Sequence, residues 1–226
     1  MQSSEATRGD AFGYVCNRCS RCCRDKHIPV DPYEIARLAR AKGQSVGEFR
    51  MTFTVRGQGT ALRQKQDGAC VFLGPRGCEV HGDRPLVCRI YPLGRHIRAG
   101  SEYFSTLEGH PLSEGDFTGR GTVAGYLEEQ GAGPYIRAAD GYLEWLCAAY
   151  RQFGLGPRGS AATAELGLAG TDLLDMDGMI AKHCAATGEV EPENIDDRAD
   201  LHLKLLYNLI GNMGANDAQE AADHED

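Results

Sequence analysis

The second half of the chain carries apolar residues at intervals of three and four, which is the spacing of an amphipathic helix. The clearest stripe contains Leu201, Leu205, Leu206 and Leu209, after acidic residues suited to a helix start. Four segments share this pattern: TVAGYLEEQ, PYIRAADGYLEWLCAAYRQFG, TDLLDMDGMIAKHCAA and NIDDRADLHLKLLYNLIGN. The sequence therefore predicts a helical region over residues 113–214.

The first half contains two signals for the start of a helix. Asp31 is a suitable N-cap ahead of a proline at the first helical position, and Gly43 can end the helix that follows. Ser45 and Glu48 have the spacing of a capping box, which indicates a second short helix. Because both segments are brief, this half would bury little without a covalent or metal anchor.

Short strands are predicted further along the first half. Residues 51–64 alternate in the manner of a β-hairpin around Gly57 and Gly59, and CVFLGPRGCEVH indicates two short strands around a tight turn. The sequence therefore predicts an α+β fold, in which a loop-rich cysteine region with short strands packs against the helical half. The cysteine region is expected at residues 12–112, and a disordered acidic tail at residues 215–226.

The composition is that of an ordinary globular protein. No segment approaches the ~18 consecutive apolar residues that cross a bilayer, and the N-terminal stretch lacks an apolar leader. A cytoplasmic protein without membrane contact is therefore expected. The nine cysteines then favour a metal framework over disulfides, because the cytosol keeps thiols reduced.

The net charge of −8 hides a strong asymmetry. Residues 16–100 contain 16 Lys and Arg against 7 Asp and Glu, a net of +9, and the remainder of the chain carries −17. The cations among the thiols are Arg18, Arg21, Arg24, Lys26, Arg76, Arg84 and Arg89. Such a surround would stabilise metal-bound thiolates, which are negatively charged. A phosphate-bearing ligand or an anionic partner at the same face is the alternative.

The stretch CNRCSRCCRDKH, residues 16–27, is the strongest chemical signal in the chain. Cysteines at C-x2-C-x2-C can turn three sulfur atoms toward one metal centre. The spacing begins like a bacterial ferredoxin run, but Lys26 stands where that run has its fourth cysteine. An ordinary ferredoxin is therefore disfavoured, and a further ligand must come from elsewhere.

A second group of thiols lies downstream, in CVFLGPRGCEVHGDRPLVCRIYP. Its candidate ligands are Cys70, Cys78, Cys88 and, as an open question, His81. A four-thiolate site would leave three of the seven clustered thiols for a second metal or a bridged multinuclear centre. The adjacent Cys22 and Cys23 would suit such a centre, because neighbours in extended chain point to opposite sides.

The two segments, C-x2-C-x2-CC and C-x7-C-x2-H-x2-RPxxCRxxP, resemble the YkgJ-type CxxCxxCC cysteine-cluster family. Its members are zinc- or iron-chelating proteins related to the flagellin lysine N-methylases. The resemblance covers roughly residues 12–98, and Ser20 and His81 stand where the family commonly has a glycine and an aromatic residue. It implies metal binding by Cys16, Cys19, Cys22, Cys23, Cys70, Cys78 and Cys88.

An iron–sulfur cluster of the [4Fe–4S] type is the favoured cofactor, with zinc as the alternative. A close triplet of cysteines with one remote cysteine is a familiar way to hold a cluster, whereas zinc sites more often pair two C-x2-C units. The expected role is redox or metal handling with a protein partner or substrate. Two alternatives remain open: a protein lysine N-methylase-like enzyme with a metal centre, and a zinc-stabilised scaffold.

Nucleic acid is an unlikely partner, because interleaved aromatic residues and a finger spacing are lacking. The remaining two cysteines are expected outside the metal set. Cys147 lies in an apolar helical segment and is predicted to be a small buried side chain, as free cysteine often is. Cys184 follows His183, but neighbours in a helix do not face each other, so a core or surface thiol is predicted.

Overall fold

The computed structural model describes residues 5–55, 61–107, 114–152 and 171–223. The strands are β1 Tyr14–Val15, β2 Leu73–Gly74, β3 Gly77–Cys78, β4 Leu93–Arg98, β5 Ser101–Thr106 and β6 Asp116–Phe117. The α-helices are α1 Pro32–Lys42, α2 Val46–Phe53, α3 Leu86–Arg89, α4 Val123–Glu129, α5 Gly133–Gln152, α6 Met176–Thr187 and α7 Ile195–Asp223. Short 3-10 turns are found at Arg21–Cys23, His81–Asp83 and Thr171–Leu174.

Helix α1 begins and ends at the predicted residues. The Asp31 carboxylate accepts a hydrogen bond from the Glu34 N–H at 2.8 Å, and the Glu34 carboxylate accepts one from the Asp31 N–H at 3.1 Å. Gly43 ends the helix in the left-handed conformation, with φ 65°, which a glycine adopts without strain. Tyr33 and Leu38 on the inner face are fully buried. Local capping and an apolar stripe together account for this helix.

The strands form three separate antiparallel pairs, β1 with β6, β2 with β3 and β4 with β5. The β2–β3 pair confirms the two short strands predicted in CVFLGPRGCEVH. Residues 51–53, predicted as part of a hairpin strand, instead lie in α2, because the Ser45 capping box starts a helix that buries Phe49. Within the described residues, the predicted hairpin is reduced to one β-bridge, between Thr54 and Leu62. Its predicted glycine turn lies outside the described residues.

The β4–β5 hairpin was not predicted, although its strands have six residues each. Its two-residue loop is Ala99–Gly100, and both residues have positive φ, 49° and 78°. This is the turn geometry that matches the twist of a hairpin. Phe104 is its fully buried anchor, and the backbone of Ala6 pairs with that residue.

The cysteine region and the helical half share one hydrophobic core. The rings of Tyr33 in α1 and Tyr135 in α5 meet edge to face at 5.4 Å. The Tyr33 hydroxyl also donates to the Asp196 carboxylate of α7 at 2.7 Å. The predicted α+β class is confirmed, with short strand pairs in the first half and helices in the second. The expected boundary at residues 112 and 113 lies outside the described residues.

The C-terminal helix extends further than the sequence indicated. Helix α7 continues to Asp223, through most of the segment predicted as a disordered tail from residue 215. Ala, Gln and Glu in that segment are good helix formers, so a preceding helix can propagate into it. Residues 224–226 lie outside the described part. None of the described helices is long and apolar enough to cross a membrane.

Candidate metal centre

Backbone hydrogen bonds join the two cysteine segments. The Cys70 N–H donates to the Cys23 carbonyl at 2.7 Å, and the Asp25 N–H donates to the Gly68 carbonyl at 2.9 Å. Between them, Arg24 and Ala69 form an antiparallel bridge. Residues separated by more than 40 positions along the chain therefore become neighbours, and their thiols share one side of the molecule.

The first cysteine segment is folded tightly by left-handed residues. Arg18, Ser20 and Asp25 have φ of 55°, 61° and 52°, a region that residues other than glycine enter at a cost of roughly 1 kcal/mol or more. The 3-10 turn Arg21–Cys23 follows Ser20 directly. The left-handed backbone at Ser20 explains physically why a glycine suits that position.

The second segment presents its thiols from short elements. Cys78 belongs to β3 and pairs with Leu73 of β2. Cys88 belongs to α3, whose first N–H, that of Leu86, donates to the buried Glu34 carboxylate at 2.6 Å. Glu34 thus caps the helix of Cys88 while also closing the capping box of α1. The spacing of cysteines gave no sign of this role.

Six of the seven predicted thiols line a single cavity of about 460 Å³. They are Cys16, Cys22, Cys23, Cys70, Cys78 and Cys88. Cys19 instead lines an adjacent groove, and the Glu114 N–H lies 3.5 Å from its sulfur atom. All nine cysteines are free thiols. Within the described ranges, no three His, Cys, Asp or Glu side chains form a ready-made metal site.

Burial makes ionisation of the innermost thiols unfavourable. It raises the pKa of Cys88, and the neighbouring Cys70 adds to this effect. It also raises the pKa of Cys70 and Cys78. A bound metal cation reverses this balance, because it replaces the thiol protons and compensates the thiolate charges.

Cys22 and Cys23 behave as a coupled pair of thiols. A hydrogen bond from the Cys23 thiol lowers the pKa of Cys22 to about 7, and Arg84 and Lys26 contribute positive charge. The same hydrogen bond raises the pKa of Cys23. Cys22 is therefore the thiol of this pair that loses its proton first, which is the first requirement of a metal ligand.

Four cationic side chains also line the cavity. Arg84 donates to the His81 carbonyl and to the Gln130 side chain, each at 2.8 Å. Arg89 donates to the Gln130 carbonyl and the Tyr135 hydroxyl, also at 2.8 Å. Arg18 and Lys26 complete the set. In the described part of the chain, Glu129 is the only carboxylate on this wall, so the cavity favours a negatively charged centre.

His81, the open candidate ligand from the sequence, also lines the cavity. Burial, followed by the charge of Arg84, lowers the pKa of His81, which keeps its imidazole neutral and able to bind a metal. Tyr91 lies on the same wall, and its carbonyl accepts a hydrogen bond from the Tyr126 hydroxyl at 2.6 Å. His27 is a further wall residue, with a largely exposed side chain.

The donor set fits the metals that soft ligands select. Thiolates with a neutral imidazole nearby suit zinc, iron and iron–sulfur clusters. Calcium and magnesium take oxygen ligands instead, and the cavity offers one carboxylate against six thiols. The side chains on the cavity wall therefore favour a metal centre that binds thiolates over calcium or magnesium.

The two remaining cysteines lie away from the cavity. Cys184 is buried in α6 as part of the common core. Cys147 was predicted to be buried but is exposed. The buried stripe of α5 runs through Tyr135, Tyr142 and Ala149, and Cys147 lies about 140° around the helix from Tyr142 at ~100° per residue. The prediction was wrong because Cys147 lies on a different face of α5 from the buried stripe.

The helical half contributes residues that sequence reasoning did not identify. Tyr126 of α4 and Gln130 just after it form one side of the cavity. Gln130 receives hydrogen bonds from both arginines of the RPxxCRxxP segment, Arg84 and Arg89. These contacts join positions more than 40 residues apart, and no local spacing in the sequence signals them.

Comparison with known proteins yields one family. Residues 15–108 match the model CxxCxxCC, described as "Putative zinc- or iron-chelating domain". No curated protein and no solved structure matches the chain. The matched range contains all seven clustered cysteines and confirms the resemblance found in the sequence. Residues 15–108, about two fifths of the chain, are therefore similar to the CxxCxxCC family, whose model carries that description.

Proposed function

We propose that the cysteine-lined cavity holds an iron–sulfur cluster of the [4Fe–4S] type, and that the protein acts in electron transfer or metal handling. The observation that carries the proposal is the number of thiols on one wall. Six thiols from both cysteine segments line the cavity, which supplies the four thiolates that a [4Fe–4S] cluster takes. A zinc ion also takes four ligands, so the cluster is preferred because two further thiols remain for a multinuclear centre or for contacts around it.

The surroundings of the thiols support a redox role. A bound cluster would gain and lose one electron, and its potential depends on charge, solvent access and hydrogen bonds to sulfur. Phe72, Leu62 and Ile28 are buried apolar residues on the cavity wall, where they keep water away. Arg84 and Lys26 supply positive charge beside Cys22. The cations stabilise a centre that carries negative charge, and the apolar side chains limit its contact with water.

The same charges weigh against the lysine N-methylase-like alternative. A lysine substrate would bring an ammonium group to a wall that, within the described ranges, has one carboxylate, that of Glu129, against the cations Arg18, Lys26, Arg84 and Arg89. Like charges at a few ångströms repel, most strongly where water is scarce. An anionic centre or ligand is the better electrostatic match. A zinc-stabilised scaffold is therefore the main competing function.

Anaerobic purification of the full chain tests the cofactor. We expect a brown protein with broad visible absorption, iron and acid-labile sulfide in similar amounts, and bleaching by dithionite. A colourless protein with stoichiometric zinc would contradict the cluster and favour the scaffold. Cys78→Ser and Cys88→Ser should lose the iron and sulfide, whereas the matched control Cys147→Ser should retain both, because its side chain is exposed on α5.

A further inference from the structure

A second groove of about 700 Å³ lies beside the cysteine-lined cavity and is strongly basic. Its charged residues are Arg18, Arg21, Arg24, Lys65, Arg76 and Asp67. We call this surface the basic groove. Cys19 lies on its wall. The basic groove and the cavity share Arg18 on their walls.

The positive charge of the basic groove is largely uncompensated. Arg24 pairs with Asp67 at 3.1 Å, through side chains that are 37% and 60% exposed. Lys65 donates to the Leu73 carbonyl at 2.6 Å, and no carboxylate of the described residues pairs with its charge. The buried Nε of Arg21 has no hydrogen-bond acceptor within the described ranges. Five cations against one carboxylate give the groove a net charge of +4.

We propose that the basic groove docks an acidic segment of a partner protein. Complementary charge brings such partners together quickly and in one orientation, even where the buried area is small. Weak electron-transfer encounters are of this kind. The docking itself does not depend on which metal the cavity holds. The exchange of electrons or metal with the docked partner, next to Cys19, rests on the proposed function.

A protein segment fits the basic groove better than a nucleic acid does. Among the described residues, no aromatic side chain lines the groove, so this part of the chain offers none of the stacking that binds single-stranded nucleic acids. The chain outside residues 16–100 carries a net −17, which would repel a long phosphate backbone. A short acidic segment touches only the groove and avoids that repulsion.

The test uses the full chain, purified anaerobically with its metal, and a fluorescein-labelled octaglutamate peptide. Fluorescence anisotropy should show saturable binding with a Kd below about 1 mM at 20 mM NaCl. Raising the salt to 200 mM should weaken binding about tenfold, because exposed charges are screened. An octathymidylate of equal length serves as the nucleic-acid probe and should bind more weakly than the peptide.

Charge-reversal variants locate the binding surface. Arg24→Glu combined with Arg76→Glu should weaken peptide binding at least about tenfold, because both reversed charges face the peptide. Arg120→Glu combined with Arg151→Glu makes the same change of net charge at exposed positions outside the groove, and should change binding less than about twofold.

Three results would overturn the docking proposal: no peptide binding up to 1 mM, equal weakening by the two double variants, or tighter binding of octathymidylate. If Arg24→Glu combined with Arg76→Glu loses its metal, the single variant Arg76→Glu takes its place, and its peptide binding should be about threefold weaker. Arg76 is exposed in the β2–β3 turn. A purified protein without iron or sulfide would contradict the proposed function while leaving the binding result intact.

Discussion

We predict that Arg89 anchors α3, the helix that contains Cys88, to the helical half. Its guanidinium donates to the Gln130 carbonyl and the Tyr135 hydroxyl at 2.8 Å, and to the Gly82 carbonyl at 2.6 Å. It also lies 4.2 Å from the centre of the Tyr135 ring. Arg89→Met keeps much of the side-chain volume but removes all of these contacts.

The structure gives the size of the effect. Two of the hydrogen bonds are partly buried, and each contributes about 1.5–3 kcal/mol when the donor is charged. The cation–π contact adds about 0.5–1 kcal/mol. At the low end of both ranges, Arg89→Met should lower the free energy of unfolding by about 3.5 kcal/mol. Arg89→Lys should lose about 2 kcal/mol of it, because an ammonium cannot reproduce the planar fork.

Arg98 provides the matched control. It also stacks on a tyrosine, with 4.6 Å to the ring of Tyr103, and donates to that hydroxyl at 2.8 Å, but its side chain is 65% exposed. Arg98→Met should therefore cost less than about 1 kcal/mol. Urea unfolding followed by far-UV circular dichroism, at fixed metal loading, gives all three values. Equal losses in Arg89→Met and Arg98→Met would refute the anchoring role.

Three further substitutions test other parts of the structure. Ser20→Gly should raise the free energy of unfolding by about 0.5–1 kcal/mol in urea titrations, because φ is 61° there; destabilisation would contradict the left-handed backbone. Burial lowers the pKa of the His202 imidazole to about 4. The stability that this neutral imidazole contributes is fully present above pH 6.5, and the free energy of unfolding should decrease by about 3 kcal/mol as the pH falls from 6.5 to 4. His202→Gln should remove that pH-dependent part, and an unchanged profile would refute it. Cys88→Ser should lose its metal, whereas Cys19→Ser should retain more than half of it, because Cys19 lines the groove. Elemental analysis measures both, and complete loss in Cys19→Ser would make Cys19 an essential ligand.

Helices were predictable where the signals are local. The capping box of Asp31 and Glu34 and the left-handed Gly43 mark α1 within a dozen residues of sequence. The β4–β5 hairpin escaped prediction because its inner positions are partly polar. Arg95 is held there by Glu102 at 2.5 Å and by Asp140 of α5 at 2.7 Å. Only the tertiary partners make an arginine suitable at that position.

The candidate site was predictable in its donors and not in its walls. Cysteine spacing predicts seven candidate thiols, of which six line one cavity, and backbone pairing of Cys23 with Cys70 joins the two groups. Which thiols share the cavity depends on backbone conformation. The left-handed residues Arg18 and Ser20 flank Cys19, which lines the groove instead. Nothing in the spacing reveals such a turn.

X-ray absorption at the iron and zinc K-edges, on the anaerobically purified full chain, tests the central claim most directly. That claim is that thiols from two remote segments share one metal centre. We expect a first coordination shell dominated by sulfur, and its loss both in Cys22→Ser of the first segment and in Cys88→Ser of the second. A shell of nitrogen and oxygen, or a sulfur shell that survives either substitution, would contradict the account.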